Sequence, residues 1–593
     1  MSHCKKKCHK HCKKNCHTLG SKKNPYDFVI VGAGTAGAPL AKLLSDNFDK
    51  SVLVLEGGQN LSNDPNVLAE PAPGSPPAGP KYDWEHPADI SDIMLESLGL
   101  TRPLIYADGR MWGGSSGHNF GGFFRGSPDV YDTAWGSVNP RWTYNSLLPA
   151  MKYLERFVPN GYVPNPAQRG FAGPLTVSQA PPISQANPFV AAFLAMNAPM
   201  VPDSNDPTLG DVGISPSQIT ATQISPGVFQ RSFAATSFLG PDVVTPEGQG
   251  VGDRQLTIES AAYAKKVLFD GTRAIGVEYL RGLTEDPAAV SAQVFGKKII
   301  LAAGAIVDAA ILQRSGIGPA ALLSSLGIPV IVNNPNVGAN MECHVGPNAL
   351  TPLNFANPPN NFPPDSPEQA MSDFSGNNVP VDGLVGPPTG IRQVQYIPIP
   401  GPPFIIPLAV LTALGIPHDP TQNFYINWVT GILRPSNLGT VEIVSADDIV
   451  EPISKFHFYQ DTVGLTELDK AVLIYKMIAN HSLAYSGQMP LWPPASHYPV
   501  TTGYPGATAP DDSTLREDAK GSSIFFNHAC GTCRMAPSAA TGVVDGNLDV
   551  FGVQGLSCCS NSVAPQTETG NTQLMAYIIG LTKAKIEGAP VPF

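Results

Sequence analysis

A short apolar run, Phe28 to Val31, opens the ordered pattern of the chain in the segment YDFVIVGAGTAGAPLAKLLSD. A run of this length ending in glycines predicts a strand buried on both faces, as in a parallel sheet. Apolar residues then recur at Ala36, Leu40, Leu43 and Leu44, the spacing of one helix face. A second run, Val52 to Leu55, predicts the next strand, and it ends in Glu56. Residues 354–430 behave differently. Prolines interrupt them, as in IPIPGPPFIIP, so no regular helix is expected there. This stretch is expected to lie over a pocket or at a subunit contact. The longest apolar stretch, Phe404 to Pro417, is cut by Pro407 and is too short to span a bilayer. No internal repeat is apparent.

Composition narrows the class. The chain has 593 residues, 42% of them apolar and only 14% charged, which excludes a disordered chain. Its 58 glycines and 60 prolines imply a loop-rich globular protein of several domain-sized units. The net charge of −11 is unevenly spread. Residues 1–24 hold eight lysines and no acid, leaving 29 basic against 48 acidic residues in the body. Four of nine cysteines (Cys4, Cys8, Cys12, Cys16) also lie in this tail. The five others are too few for a disulfide scaffold and suggest a reducing compartment. The tail has no apolar core, so it is not read as a signal peptide. Its four-residue cysteine repeat leaves two readings open: a metal-binding segment, or a solvated basic arm attracted to phosphate and hence to nucleic acid.

Gly32, Gly34 and Gly37 form GxGxxG between the first strand and the helix. Glycines at this spacing permit a tight turn and close approach of backbone to a pyrophosphate, whose charge sits at the helix N-terminus. Glu56, 24 residues after the first glycine, is placed to accept hydrogen bonds from an adenosine ribose. The residues alone define a dinucleotide site and leave the dinucleotide open.

A second glycine-rich segment, DGRMWGGSSGHNFGGFFRGSPDVYDTAW (108–135), resembles the first signature of the glucose-methanol-choline (GMC) flavin oxidoreductases. The match falls on Gly109, Arg110, Gly113, Gly114, Ser115, Ser116 and Asn119, then on Arg125-Gly126, Tyr131-Asp132 and Trp135. Residues 301–344 are similar to the second signature, while 433–447, 527–535 and 542–556 resemble the C-terminal half. The wording also resembles GMC-type proteins of giant amoebal viruses. The resemblance implies FAD as cofactor, held by the three glycines, Glu56, Arg110, Gly113, Gly114, Ser115, His118, Asn119 and Ala264. In some members a histidine at the position of His118 is joined covalently to the flavin; the plainer expectation is a ring packed beside it.

The same resemblance implies oxidation of a small alcohol, with hydride passing to flavin N5 and oxygen or a separate carrier as final acceptor. His528, in HxxGT, maps onto the base, and Asn571 onto a hydrogen-bond donor to the developing alkoxide. Cys530 and Cys533 form a CxxC, open to a redox or half-zinc reading, with packed thiols the default. Cys343-His344 stands where Asp-His is usual. Two further departures concern the flavin. Asp308-Ala309 replaces the usual Ser-Pro, and Ser560 stands where a flavin-contacting Asp is usual.

The fold expected is α/β: a Rossmann-type FAD domain from residues 25–160, 215–345 and 520–593, and a substrate domain from 161–214 and 346–519 with an antiparallel sheet. Residues 1–24 form the tail. Two functions follow. One is an FAD-dependent alcohol oxidoreductase, cytoplasmic or virion-borne and open to self-association. The other is a flavoprotein fold reused for structure or assembly, with the tail on nucleic acid.

Overall fold

A computed structural model describes residues 18–69, 77–91, 105–180, 188–195, 199–225, 228–352, 381–383, 394–401, 411–412, 415–419, 425–447, 449–464, 466–498 and 512–593. The cysteine-bearing part of the tail and the insertion at 354–370 lie outside these residues.

Seven strands form the first sheet: β1 (Tyr26–Val31), β2 (Val52–Leu55), β3 (Leu256–Glu259), β4 (Ala262–Asp270), β5 (Arg273–Arg281), β6 (Val290–Leu301) and β7 (Leu556–Cys558). Their order is β3-β2-β1-β6-β5-β4, with β7 on the other side of the end of β6. The pairs β3–β2, β2–β1, β1–β6 and β6–β7 are parallel, whereas β4, β5 and the first half of β6 form an antiparallel meander. All of β2 and β7 and the last four residues of β1 are buried, which is why β1 and β2 read as unbroken apolar runs. Strand β1 leads into helix α1 (Gly37–Ser45), and β6 leads into helix α2 (Ala305–Arg314). Helix α3 (Gln573–Ile586) packs against α1.

The register fixes where a ligand can sit. Glu259, Leu55, Val31, Leu301 and Cys558 lie on one row across the five parallel-paired strands. The residues that follow this row, Glu56, Gly32, Ala302 and then Ser560, all open onto the carboxyl edge of the sheet. In α/β sheets this edge is where ligands bind.

The second sheet is antiparallel throughout. Its order is Ile524–Phe525, Val345–Gly346, Tyr425–Ile432, Val394–Gly401, Val381–Gly383 and Gly213–Ile214, with Ala349–Pro352 also paired to Tyr425–Ile432. The helix Glu467–Ser486 lies against it, and His481 meets the rings of Trp428 and Phe193 with centroids 5.0 and 4.1 Å away. Part of the proline-rich stretch therefore forms a regular strand. Pro398 and Pro400 pair with Trp428 and Ile426, in the half of Val394–Gly401 that has one neighbouring strand among the described residues. A proline cannot donate to a ladder, and an edge makes no such demand. No helix among the described residues is long and apolar enough to cross a membrane.

Candidate active site

A cleft of about 1040 Å³ runs along the carboxyl edge of the first sheet. Its floor is the turn after β1. Gly32 has φ +101°, and a Cβ there would stand 2.5 Å from the Ala302 carbonyl oxygen. A Cβ on Gly37 would stand 2.0 Å from the Gly32 carbonyl oxygen. Only glycine permits this turn, and Gly34, between them, lines the cleft.

Glu56 closes one end. One carboxylate oxygen accepts from the Ala33 N–H and the other from the Gly58 N–H, both at 2.8 Å. Burial pushes this carboxyl up to about 7, against the pull of the two N–H groups. Each oxygen keeps a lone pair for a ligand hydroxyl. Ala264 and Tyr263 from β4 and the ring of Trp84 complete this end.

The glycine-rich loop crosses the middle, with Gly114 and Ser115 on the cleft wall. The Ser115 hydroxyl donates to Asp108 and accepts from the Gly109 N–H at 3.1 Å. Gly37, Arg110, Gly113, His118 and Asn119 do not line the cleft. The Arg110 guanidinium faces away, paired with Glu285 at 2.7 Å and lying over the Trp84 ring. His118 Nε2 is 3.1 Å from Asp83 Oδ2. Asn119 donates to Gln573 Oε1 at 3.0 Å and accepts from Arg231 at 3.0 Å, which ties the loop to α3.

At the far end the wall is Tyr106, Asn527, Ala529, Asn561 and Thr572. The Tyr106 hydroxyl donates to the Asn527 carbonyl at 2.8 Å and accepts from the Ala529 N–H at 3.1 Å. These two bonds clamp the backbone on either side of His528. Nδ1 of His528 lies 2.8 Å from Nδ1 of His344. Burial pushes both imidazoles down, His344 to about 4 and His528 well below its usual value, with His344 adding to the depression of His528. Asn571 comes from the segment before α3. Tyr131 donates to Glu568 at 2.7 Å and Trp135 to the Gln566 carbonyl at 2.9 Å, so the YDxW element holds this segment. Asn571 Oδ1 accepts from Gln395 Nε2 of the second sheet at 3.4 Å. No hydrogen bond joins Asn571 to His528.

Several partners carry no clear signal in the sequence. Cys343-His344 reads there only as a departure from Asp-His, and no motif singles out His86, Tyr106 or Asp108. His86 lies on the cleft wall, with Nδ1 bonded to Glu451 at 2.8 Å and Nε2 without a partner. Cys530, Cys533, Cys558 and Cys559 are buried free thiols, and burial pushes the Cys530 thiol well up, away from reactive thiolate. Arg125 serves a buried ion network, 2.6 Å from Glu155, which also binds Arg169 at 2.9 Å.

The comparison with known proteins decides what the cleft serves. GMC oxidoreductase family models match residues 26–206 and 249–346 with their N-terminal part and 435–580 with their C-terminal part. The chain is a GMC oxidoreductase. It is similar to the oxygen-dependent choline dehydrogenases of Citrobacter koseri and Escherichia coli K12, each 28% identical over 572 residues, or 94% of both chains. Pyridoxine 4-oxidase from Mesorbium loti shares the fold with TM-score 0.71 and 24% identity, over 94% of this chain and 98% of that one. A fungal aryl-alcohol oxidase does so with TM-score 0.68 and 21% identity, over 95% and 98%.

As a GMC oxidoreductase the protein is an FAD-dependent oxidoreductase. Its cleft fits that cofactor. The glycine floor is shaped so that side chains are excluded, and Glu56 offers acceptors at one end. Two buried polar atoms on its walls, His86 Nε2 and Asn561 Oδ1, have no partner among the described residues. Unpaired buried groups of this kind are costly unless a ligand meets them.

Proposed function

We propose that this GMC oxidoreductase oxidises an alcohol. His528 takes the hydroxyl proton, and Asn571 donates a hydrogen bond to the oxygen that is left. FAD, when bound, supplies the hydride acceptor at flavin N5. The observation that carries this reading is the contact between the two Nδ1 atoms of His344 and His528. Two ring nitrogens bond through one proton, so one ring donates and the other accepts. The Glu568 and Leu433 backbones favour a protonated His344 ring, and its Nε2 faces Thr567 Oγ1 at 3.5 Å. We therefore place the His344 proton on Nε2, since Nδ1 is taken up by His528, and a lone pair at Nδ1. His528 then donates from Nδ1, and its own Nε2 is left as the basic atom.

The electrostatics support the same assignment. Burial keeps His528 neutral, which is the form a base needs. Asn571 Oδ1 is occupied by Gln395, so its amide N–H groups remain for the substrate oxygen. The proteins it is similar to include a choline dehydrogenase and an aryl-alcohol oxidase, which supports an alcohol as the substrate class. The name "oxygen-dependent" among them supports oxygen as acceptor.

The test is the flavin absorbance band of the purified holoenzyme without oxygen, before and after adding primary, aromatic and amino alcohols. One of them bleaches the band, and readmitted air restores it with release of peroxide. His528→Ala slows the bleaching by about 10²–10⁴. A band that no alcohol bleaches would overturn the reading.

A further inference from the structure

Asp308 is a buried carboxylate without a cation. It sits in the first turn of α2, fully enclosed, and no ion pair reaches it among the described residues. Its donors are all neutral. The Ala303 N–H reaches Oδ1 at 2.9 Å, while the hydroxyls of Ser560 and Ser562 reach Oδ2 at 2.6 and 2.9 Å. Burial pushes the carboxyl up to about 6, so it is ionised at neutral pH. The start of α2 adds the favourable end of a helix dipole.

Ser560 stands between this carboxylate and the cleft, which it lines. Its hydroxyl has one proton and two lone pairs. Oδ2 of Asp308 at 2.6 Å competes for that proton with Ser562 Oγ at 2.9 Å. The charged acceptor is the stronger. One lone pair takes the Ser562 N–H at 3.0 Å. The other is left for the cleft. Ser560 is thus an acceptor there, with a negative charge behind it.

Position then names the donor. Ser560 follows β7, beyond the row that ends in Val31 and Leu301, and the Cys559 N–H donates to the Leu301 carbonyl at 2.6 Å. Ser560 links the glycine floor, suited to pyrophosphate, through Asp308 and the Ala302–Ala303 backbone that meets Gly32, to the segment of His528, where the Gly531 N–H donates to the Asn561 carbonyl at 3.1 Å. The part of FAD between pyrophosphate and flavin ring is the ribityl chain, which carries three hydroxyl donors.

We propose that Asp308 and Ser560 form one charge-backed acceptor unit for a ribityl hydroxyl of FAD. The two departures from the GMC pattern that concern the flavin are then a single exchange. A carboxylate expected at 560 stands at 308, a hydroxyl expected at 308 stands at 560, and the two still touch. The inference rests on FAD binding and is independent of the alcohol reading.

The experiment measures FAD affinity of the apo-protein by quenching of FAD fluorescence, for wild type, D308S, S560D, the D308S/S560D exchange and S560A. Wild-type binding is established first, since its failure would count against the cofactor and not against this unit alone. D308S weakens FAD binding about 10-fold or more, as expected for losing a charge-assisted bond. S560D, which brings two carboxylates together, weakens it further, and the exchange restores affinity to within about threefold of wild type, the coupling of a contacting pair. Circular dichroism checks folding of each variant. S560A keeps the buried carboxylate, still held by Ala303 and Ser562, and removes the cleft-facing acceptor together with its bond to Asp308, so it decides the matter if either charge variant fails to fold. Wild-type affinity in D308S or in S560A overturns the proposal, as does an exchange no tighter than the weaker single variant.

Discussion

Replacing His344 by leucine removes the acceptor of the His528 Nδ1–H and leaves His528 itself in place. In the structure that N–H has one partner, Nδ1 of His344 at 2.8 Å, in a setting where both rings are buried. A buried donor left unpaired costs about 1–3 kcal/mol. The cost falls on only one tautomer, the one whose Nε2 is free to take a proton. The ring escapes it by moving its proton to Nε2, so the competent fraction falls about 5–150-fold. Leucine also removes the like-charged neighbour that helps depress His528, so the acid limb of the rate moves up in pH. Glutamine at 344 offers an amide oxygen to the same N–H and recovers most of the rate. The assay is rapid mixing of anaerobic holoenzyme with saturating alcohol, following the bleaching of the flavin band against pH. The flavin absorbance of each variant first shows that the cofactor is loaded. A wild-type rate in H344L refutes the tautomer argument, and so does an H344Q variant as slow as H344L.

Other expectations follow from the same groups. Burial holds His528 well below the usual imidazole value, so wild-type bleaching stays level as pH falls through about 6.5; a limb centred there or higher assigns the base elsewhere. Glu56 titrates near 7 in the cleft and serves a ribose as carboxylate, so FAD binding weakens as pH drops below that value, and Glu56→Gln abolishes this dependence in a fluorescence titration. On the apo-protein the sign is opposite. A carboxyl raised on folding adds stability that is complete below its unfolded value of about 4.3 and is lost as pH rises through its folded value, which melting of apo wild type against E56Q measures. His118 Nε2 is engaged by Asp83 and the ring does not line the cleft, so acid precipitation leaves the flavin in the supernatant; yellow colour in the pellet contradicts this.

The parts of the site legible in the sequence are those whose constraint is local. Gly32 and Gly37 are forced by contacts within one turn and its neighbouring strand, and Glu56 follows its strand directly. Spacing alone carries that information. It does not carry side-chain direction. Arg110 matches the signature in position, yet its guanidinium is drawn off by Glu285, 175 residues away. Nor does it carry pairing. His344 and His528 are 184 residues apart, and each motif by itself shows a single imidazole with two nitrogens of undecided role. Only their contact shows that one of the two rings must donate and the other accept. The prolines of Val394–Gly401 argue against a helix and leave a strand open, because whether a proline breaks a strand depends on whether a second strand asks for its N–H. Asp308 and Ser560 make the point most sharply. Read along the chain, 252 residues apart, they are two separate departures from the family pattern. Read across the contact, a carboxylate and a hydroxyl have changed places, and the charge that the site needs is still there.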